Sequence, residues 1–201
     1  WGSSHPVRSN KPQNQLRIIA GRWRGRRLTF APVPGLRPTP DRVRETLFNW
    51  LSPVIAGTRC LDLYAGSGAL GFEAASRGAA EVLLIDSNAT VTDRLQEQVR
   101  VLEAGQVRVL QADAGVYLRG QPQPWDIVFL DPPFREGHLD RIVTRLEEGS
   151  WLSDEAWVYL EAGCRQALDL PQNWSVYRSK TAGQVAYYLV RRTQSPVSAE
   201  G

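Results

Sequence analysis

Asp131-Pro132-Pro133-Phe134 is the tetrapeptide of this chain whose residue types point most directly to chemistry. It follows the apolar run Ile127-Val128-Phe129-Leu130, so it stands where a buried strand would end. An exocyclic amino group on a nucleic-acid base is a poor nucleophile, because its lone pair is delocalised into the ring. The Asp131 carboxylate and the backbone carbonyl of Pro132 can together accept both N–H hydrogens. That draws the nitrogen towards tetrahedral geometry and turns its lone pair towards an electrophilic methyl group. The two prolines stiffen the loop and preorganise the acceptors. Phe134 offers a face on which an extruded base can stack, a contact worth about 1–3 kcal/mol per base. With a reference carboxylate pKa near ~3.9, Asp131 works at neutral pH as an acceptor and need not be a strong base. The proton leaves after methyl transfer, when the nitrogen is briefly cationic. A Pro-Pro turn that merely ends a strand is the bland alternative, and the glycine loop upstream weighs against it.

That loop is Asp62-Leu63-Tyr64-Ala65-Gly66-Ser67-Gly68-Ala69-Leu70-Gly71, placed where a first strand gives way to a first helix. Gly66, Gly68 and Gly71 satisfy G-x-G-x-x-G, and Asp86 closes the next strand twenty residues after Gly66. The glycines permit close backbone approach to a nucleotide-like ligand, and the acid accepts from ribose hydroxyls. The motif by itself suits a dinucleotide or S-adenosylmethionine. Asp62 can receive the cationic amino end of a methionine moiety, and Asp113, after the third strand, can hold an adenine amino group. Either aspartate can equally cap the following helix. In an open parallel sheet the carboxyl ends of the strands form the ligand crevice, so Asp131–Phe134 is expected to face this loop. The tetrapeptide also fits the D/N-P-P-Y/F pattern of amino-directed methyltransferases.

The elements that must position these residues are legible from Arg59 onward as alternating strands and helices. Strands are predicted over Cys60–Tyr64, Glu81–Ile85, Val107–Gln111, Trp125–Leu130 and Ala156–Glu161. Helices are predicted over Ala69–Arg77, Ala89–Ala104, Ala114–Leu118 and His138–Glu148. Two β-rich runs, Trp174–Lys180 and Gln184–Arg191, flank the tight turn Thr181-Ala182-Gly183 and read as a hairpin on one sheet edge. The expected fold is therefore α/β and Rossmann-like, of the class I S-adenosylmethionine-dependent methyltransferase kind. Its sheet would be mainly parallel and seven-stranded, with a C-terminal antiparallel hairpin. A small N-terminal β-hairpin and helix would extend it, with short strands over residues 16–30 around Gly21 to Gly25. After the Pro32–Pro40 connector, a helix is expected from Asp41, acting as its cap, to Leu51. The expected division is a disordered or non-native tail over 1–15, a basic RNA-binding extension over 16–52, a catalytic domain over 53–192 and a flexible tail over 193–201.

Charge is distributed unevenly. Residues 1–44 hold ten Lys/Arg and one acid, a charge of +9 in a chain of net +3, so the remaining body is −6. A basic arm on an acidic body suits a polyanionic partner. Its arginines alternate with Leu16, Ile18, Ile19, Trp23, Leu28 and Phe30, which favours folded structure over a solvated tail. Cys60 and Cys164, with His5 and His138, offer neither a disulfide framework nor metal-ligand spacing, so no metal is expected. No apolar run is long enough to cross a bilayer and no signal-peptide core is visible, which points to the cytoplasm and to no membrane partner. The chain starts Trp1-Gly2-Ser3-Ser4-His5 and lacks methionine, as expected where the true start has been removed or replaced. Three other readings stay open on the residues alone: an adenine-N6 methyltransferase of DNA or RNA, an NAD-dependent oxidoreductase, and an inactive methyltransferase fold that binds RNA.

Longer stretches resemble the RsmD family of bacterial 16S ribosomal RNA guanine-N2 methyltransferases. They are Arg17–Arg26, Leu36-Arg37-Pro38-Thr39-Pro40-Asp41-Arg42-Val43-Arg44-Glu45 continuing to Leu51, the glycine loop, Asp131–Phe134 and Ala182–Tyr187. The resemblance spans residues 16–191, and the Arg-Pro-Thr-x-Asp-Arg-Val-Arg-Glu stretch is its most specific part. It implies a guanine in the head of the small subunit near the P site and 16S rRNA or an assembling subunit as partner; nothing in the sequence demands more than a monomer. S-adenosyl-L-methionine would be the donor and S-adenosyl-L-homocysteine the product. It implies catalytic roles for Asp131, Pro132, Pro133 and Phe134. Cofactor contacts would come from Arg37, Pro38, Thr39, Asp62, Tyr64, Ala65, Gly66, Ser67, Gly68, Asp86, Ser87, Asp113 and Ala114. RNA contacts would come from Arg17, Arg22, Arg24, Arg26, Arg27 and Arg42. Asp86 stands where the family also uses glutamate, and Asp113 where it also uses asparagine; both keep an acceptor.

Overall fold

The structure is a computed structural model that describes residues 14–132 and 137–194. Five strands, β3 (Arg59–Asp62), β4 (Glu81–Asp86), β5 (Val107–Gln111), β6 (Trp125–Leu130) and β7 (Leu152–Gly163), run parallel. The chain then turns back through β8 (Trp174–Ala182) and β9 (Val185–Arg192), both paired antiparallel. The order across this seven-stranded sheet is β5-β4-β3-β6-β7-β9-β8. It is the Rossmann-like arrangement expected from the alternation of elements, with β9 inserted between β7 and the edge strand β8.

The central strands are apolar without interruption because both faces are covered. Cys60, Val82, Leu84, Ile127 and Phe129 pack on one side, under α1 (Asp41–Leu51), α2 (Ala69–Ser76) and α3 (Ala89–Leu102). Leu61, Leu83, Ile85, Val128 and Leu130 pack on the other, against α4 (Ala114–Tyr117) and α5 (His138–Glu148). Strand β7 is longer than its apolar run Ala156–Glu161. The polar residues before it are drawn in by tertiary partners: Ser153 Oγ donates to Asp126 at 2.7 Å, and Arg191 pairs with Glu155 at 3.1 Å.

The N-terminal hairpin is β1 (Gln15–Arg17) and β2 (Arg27–Thr29), with Leu16 opposite Leu28. Its apolar side chains, Leu16, Ile18, Trp23, Leu28 and Phe30, join the same buried cluster as α1 to α3. Polar groups of α2 clamp it. The Glu73 carboxylate accepts from Ile19 N at 3.0 and 3.2 Å, and Ser76 Oγ accepts from Trp23 N at 3.0 Å while donating to Ala20 O at 2.6 Å.

Asp41 does not cap α1. Pro40 occupies the cap position with extended backbone and no side-chain bond, and Asp41 is the first helical residue. Its carboxylate accepts from Arg44 instead. Arg44 is fully buried, and its guanidinium also donates to Thr39 O at 3.1 Å and Arg17 O at 3.0 Å. One arginine of the basic arm therefore ties the hairpin, the Pro-rich connector and α1 together.

Candidate active site and basic face

The strand order reverses between β3, which leads outward to β4 and β5, and β6 on its other side. Ligands of open α/β sheets bind in the crevice beyond the strand ends at such a point. Here the C-terminal ends of β3, β4, β5 and β6 open into a cleft of ≈ 440 Å³. Of the residues singled out in the sequence, Arg37, Thr39, Asp62, Tyr64, Ala65, Gly66, Ser67, Asp86, Ser87, Asp113, Ala114, Asp131 and Pro132 line it. Pro38 and Gly68 do not. Pro38 lines a separate hollow with Asn14, Phe30, Gly35, Leu36 and Arg37, of which Gly35, Leu36 and Arg37 also line the cleft. Gly68 starts α2 in the left-handed region at φ 80, and a Cβ there would meet Phe72 at 2.6 Å and Leu95 at 2.8 Å. Gly71 lies flat on β4, where a Cβ would meet Leu84 Cδ2 at 2.1 Å. Both glycines set how closely the loop and helix pack. Pro133 and Phe134 lie outside the described residues.

Four carboxyl groups gather around the strand ends. Asp62 is buried, and its Oδ1 accepts from Tyr64 N at 3.2 Å. Burial pushes its pKa up to about 8, with the nearby Asp131 and Asp86 charges adding to the rise and the Tyr64 bond opposing it. A buried carboxyl raised in this way is matched by a cationic ligand group. Asp86 accepts from Gly66 N at 3.1 Å and Asn88 N at 3.0 Å, which fixes the β4 end against the glycine loop and leaves further lone pairs on both oxygens. Asp113 caps α4 through Val116 N at 3.1 Å, as the capping alternative foresaw, and still borders the cleft.

Asp131 reaches solvent at the cleft, yet burial of its inner side raises its pKa, with the neighbouring Glu161 carboxyl acting in the opposite direction. Glu161 accepts from the Tyr159 hydroxyl at 2.5 Å and is itself raised, chiefly by burial and then by Asp131. Sequence reasoning missed both residues because Glu161 belongs to a different strand, thirty positions downstream. Only the pairing of Leu130 with Leu160 brings the two ends together. It also missed the contact of Tyr64 Oη with His138 Nε2, 2.6 Å apart across the cleft, along with the lining positions Gly35, Leu36, Leu63, Ala69, Leu70 and Ala112. Among the described residues, no group of three or more His, Cys, Asp or Glu is arranged to hold a metal ion, and no helix is long and apolar enough to cross a membrane.

Arg17, Arg22, Arg24, Arg26, Arg27 and Arg42 are all exposed, while the apolar residues between them point inward. Arg26 donates weakly to Val101 O at 3.4 Å, and the Arg22 guanidinium lies 5.6 Å from the Trp23 ring centroid. The hairpin, together with Arg42 on α1, thus presents its charge on a folded surface.

The chain can be set beside known proteins. The family described as Conserved hypothetical protein 95 matches residues 16–191. Ribosomal RNA small subunit methyltransferase D of Escherichia coli (strain K12) is 51% identical over 179 residues, covering 89% of this chain and 90% of that protein. Its namesake in Haemophilus influenzae is 42% identical over 187 residues, covering 91% and 97%. Among solved structures, the yhhF protein of Escherichia coli superposes with a TM-score of 0.83 at 49% identity, covering 90% of this chain and 99% of that one.

Proposed function

Because the chain belongs to the family of conserved hypothetical protein 95, the RsmD family, we propose that it methylates the N2 amino group of one guanine in the 16S RNA of the small ribosomal subunit, with S-adenosylmethionine as donor. The observation that carries this reading is the meeting of Asp131 and Pro132 with Asp62 and the glycine loop in one cleft. The names of the relatives support a ribosomal RNA substrate. The exposed arginines of the hairpin support an RNA partner, since phosphate contacts are made largely by Arg and Lys.

The donor set fits S-adenosylmethionine. When bound, that group supplies an electrophilic methyl carbon and leaves as S-adenosylhomocysteine. Asp62, a carboxyl whose pKa burial raises, would receive the ammonium end. Asp86 would accept from ribose hydroxyls, and Arg37, Thr39, Tyr64, Ser87, Asp113 and Ala114 would close the rest of the cleft. Asp131 and the Pro132 carbonyl would accept the two amino hydrogens of a flipped base, and Phe134 would stack on its ring. The methylated nitrogen would then shed its extra proton towards Asp131 and the adjoining solvent. Arg17, Arg22, Arg24, Arg26, Arg27 and Arg42 would hold the RNA backbone.

The test is to incubate the protein with labelled donor and small subunits that lack the modification, then to identify the methylated nucleoside. N2-methylguanosine at one site is expected, and Asp131→Ala should abolish it while sparing donor affinity. Recovery of N6-methyladenine would overturn the guanine assignment. No transfer to subunits, naked RNA or DNA would leave RNA binding as the activity.

A further inference from the structure

The proposed chemistry accounts for Asp131 but leaves unexplained why a second carboxyl stands against it. Register brings Glu161 there. Phe129 pairs with Tyr159 and Leu130 with Leu160, so the next residues along the parallel strands, Asp131 and Glu161, are neighbours. On its other flank Glu161 pairs with Tyr187 of β9. Its Oε1 accepts from the Tyr159 hydroxyl at 2.5 Å, and strand register sets its carboxyl beside that of Asp131, whose charge acts on it. Ionised carboxylates are acceptors only, so two carboxyl groups placed side by side can share a hydrogen bond only if one keeps its proton.

We propose that Glu161 is a positioning residue for the reaction: it keeps a proton at neutral pH and donates it to Asp131, holding Asp131 ionised and turned so that its remaining lone pairs face the target amine. This rests on the methyl-transfer reading given above. The assignment of the proton to Glu161 follows from its surroundings. Asp131 lies past the end of β6 and is exposed on its cleft side, whereas Glu161 is half-buried on β7 between β6 and β9. The groups that face Glu161 are Asp131 at the end of β6, Asp62 at the end of β3, Tyr159 on its own strand and Tyr187 on β9. None is a cation: burial and then the Asp131 carboxyl disfavour the ionised glutamate, Asp62 adds to this, and the hydrogen bond from Tyr159 opposes it. Deprotonation at alkaline pH would set two carboxylates against each other and turn Asp131 away from the amine.

The sign of the pH effect follows. Methyl transfer should be lost as pH rises through the Glu161 titration. Glu161→Gln carries an amide that can donate N–H to Asp131 and still accept from Tyr159, but cannot ionise. It should keep a kcat within about threefold of the unaltered protein at neutral pH and lack the alkaline limb. Glu161→Ala should lower kcat about tenfold or more with little change in the KM for the donor, because Asp62 and the glycine loop are untouched. The experiment pairs single-turnover pH–rate profiles of the three proteins with carboxyl 13C NMR titration of each without ligand. A Glu161 signal titrating well above the ordinary glutamate range, absent from Glu161→Gln, is expected. Ordinary titration of Glu161, an alkaline limb that persists in Glu161→Gln, or full kcat in Glu161→Ala would each overturn the proposal. Should the unaltered protein transfer no methyl group at any pH, the positioning role falls with the methyl-transfer reading. A raised Glu161 titration in that case would show that the reading, and not the shared proton, had failed.

Discussion

Replacing Asp62 with asparagine separates what this carboxyl does for the ligand from what it does for the fold. Asp62 is buried, and its pKa stands at about 8 against an ordinary 3.8. Binding a cationic amino group requires the ionised form, so the donor must displace a proton. With that pKa, roughly nine-tenths of the carboxyl is protonated at about pH 7, and affinity should improve about tenfold per pH unit up to about pH 8. Calorimetry in two buffers of different ionisation enthalpy should show close to one proton released per S-adenosylhomocysteine bound at about pH 7. Asp62→Asn keeps an oxygen for Tyr64 N but has no charge, so its affinity should be weaker and flat with pH. Stability should move the other way. A folded pKa above the unfolded one gives stability that is full below about pH 4 and is lost as pH rises through about 8. The ligand-free asparagine variant should therefore melt higher than the unaltered protein above neutral pH, with the gain vanishing in acid. An affinity that stays constant from about pH 6 to about pH 8 with no proton release would refute the assignment of the ammonium site to Asp62.

Charge reversal at Arg24 and Arg26 should weaken RNA binding and flatten its salt dependence, since fewer counterions are released; filter binding across a salt series reads both, and an unchanged slope would place the RNA elsewhere. Arg44→Met should cost about 2–4 kcal/mol in urea unfolding, because it leaves the Thr39 and Arg17 carbonyls without their donor around a fully buried position, while the exposed Asp41 carboxylate returns to water. A loss under about 1 kcal/mol would mean that water replaces the guanidinium. Gly21→Ala should destabilise far more than Gly25→Ala. Both have positive φ, but a Cβ at Gly21 would lie 2.0 Å from the Ser76 carbonyl oxygen, whereas at Gly25 it meets nothing within 4 Å. Equal melting points for the two variants would show that the hairpin does not rest on α2 as described.

What the sequence determined by itself was periodic or local. Hydrophobic runs such as Val82–Ile85 and Ile127–Leu130 declare strands buried on both faces, and Gly66, Gly68 and Gly71 declare a turn that few other residues can make. Because ligand crevices of parallel sheets lie at strand ends, those local signals already placed Asp62, Asp86 and Asp131 on one side of the molecule. Only the tertiary structure decided matters that depend on pairing between distant elements. Arg44 reads as one more cation of a basic arm, yet three acceptors and complete burial make it a structural tie. Asp41 reads as a helix cap, but Pro40 already supplies the extended backbone at that position and leaves the carboxylate to Arg44. Glu161 carries no motif, and nothing in its neighbours announces a partner thirty residues away. Its meeting with Asp131, like that of His138 with Tyr64, is fixed by strand register and helix docking. Sequence spacing encodes the period of an element, whereas the electrostatic environment of a side chain is set by whichever elements pack around it.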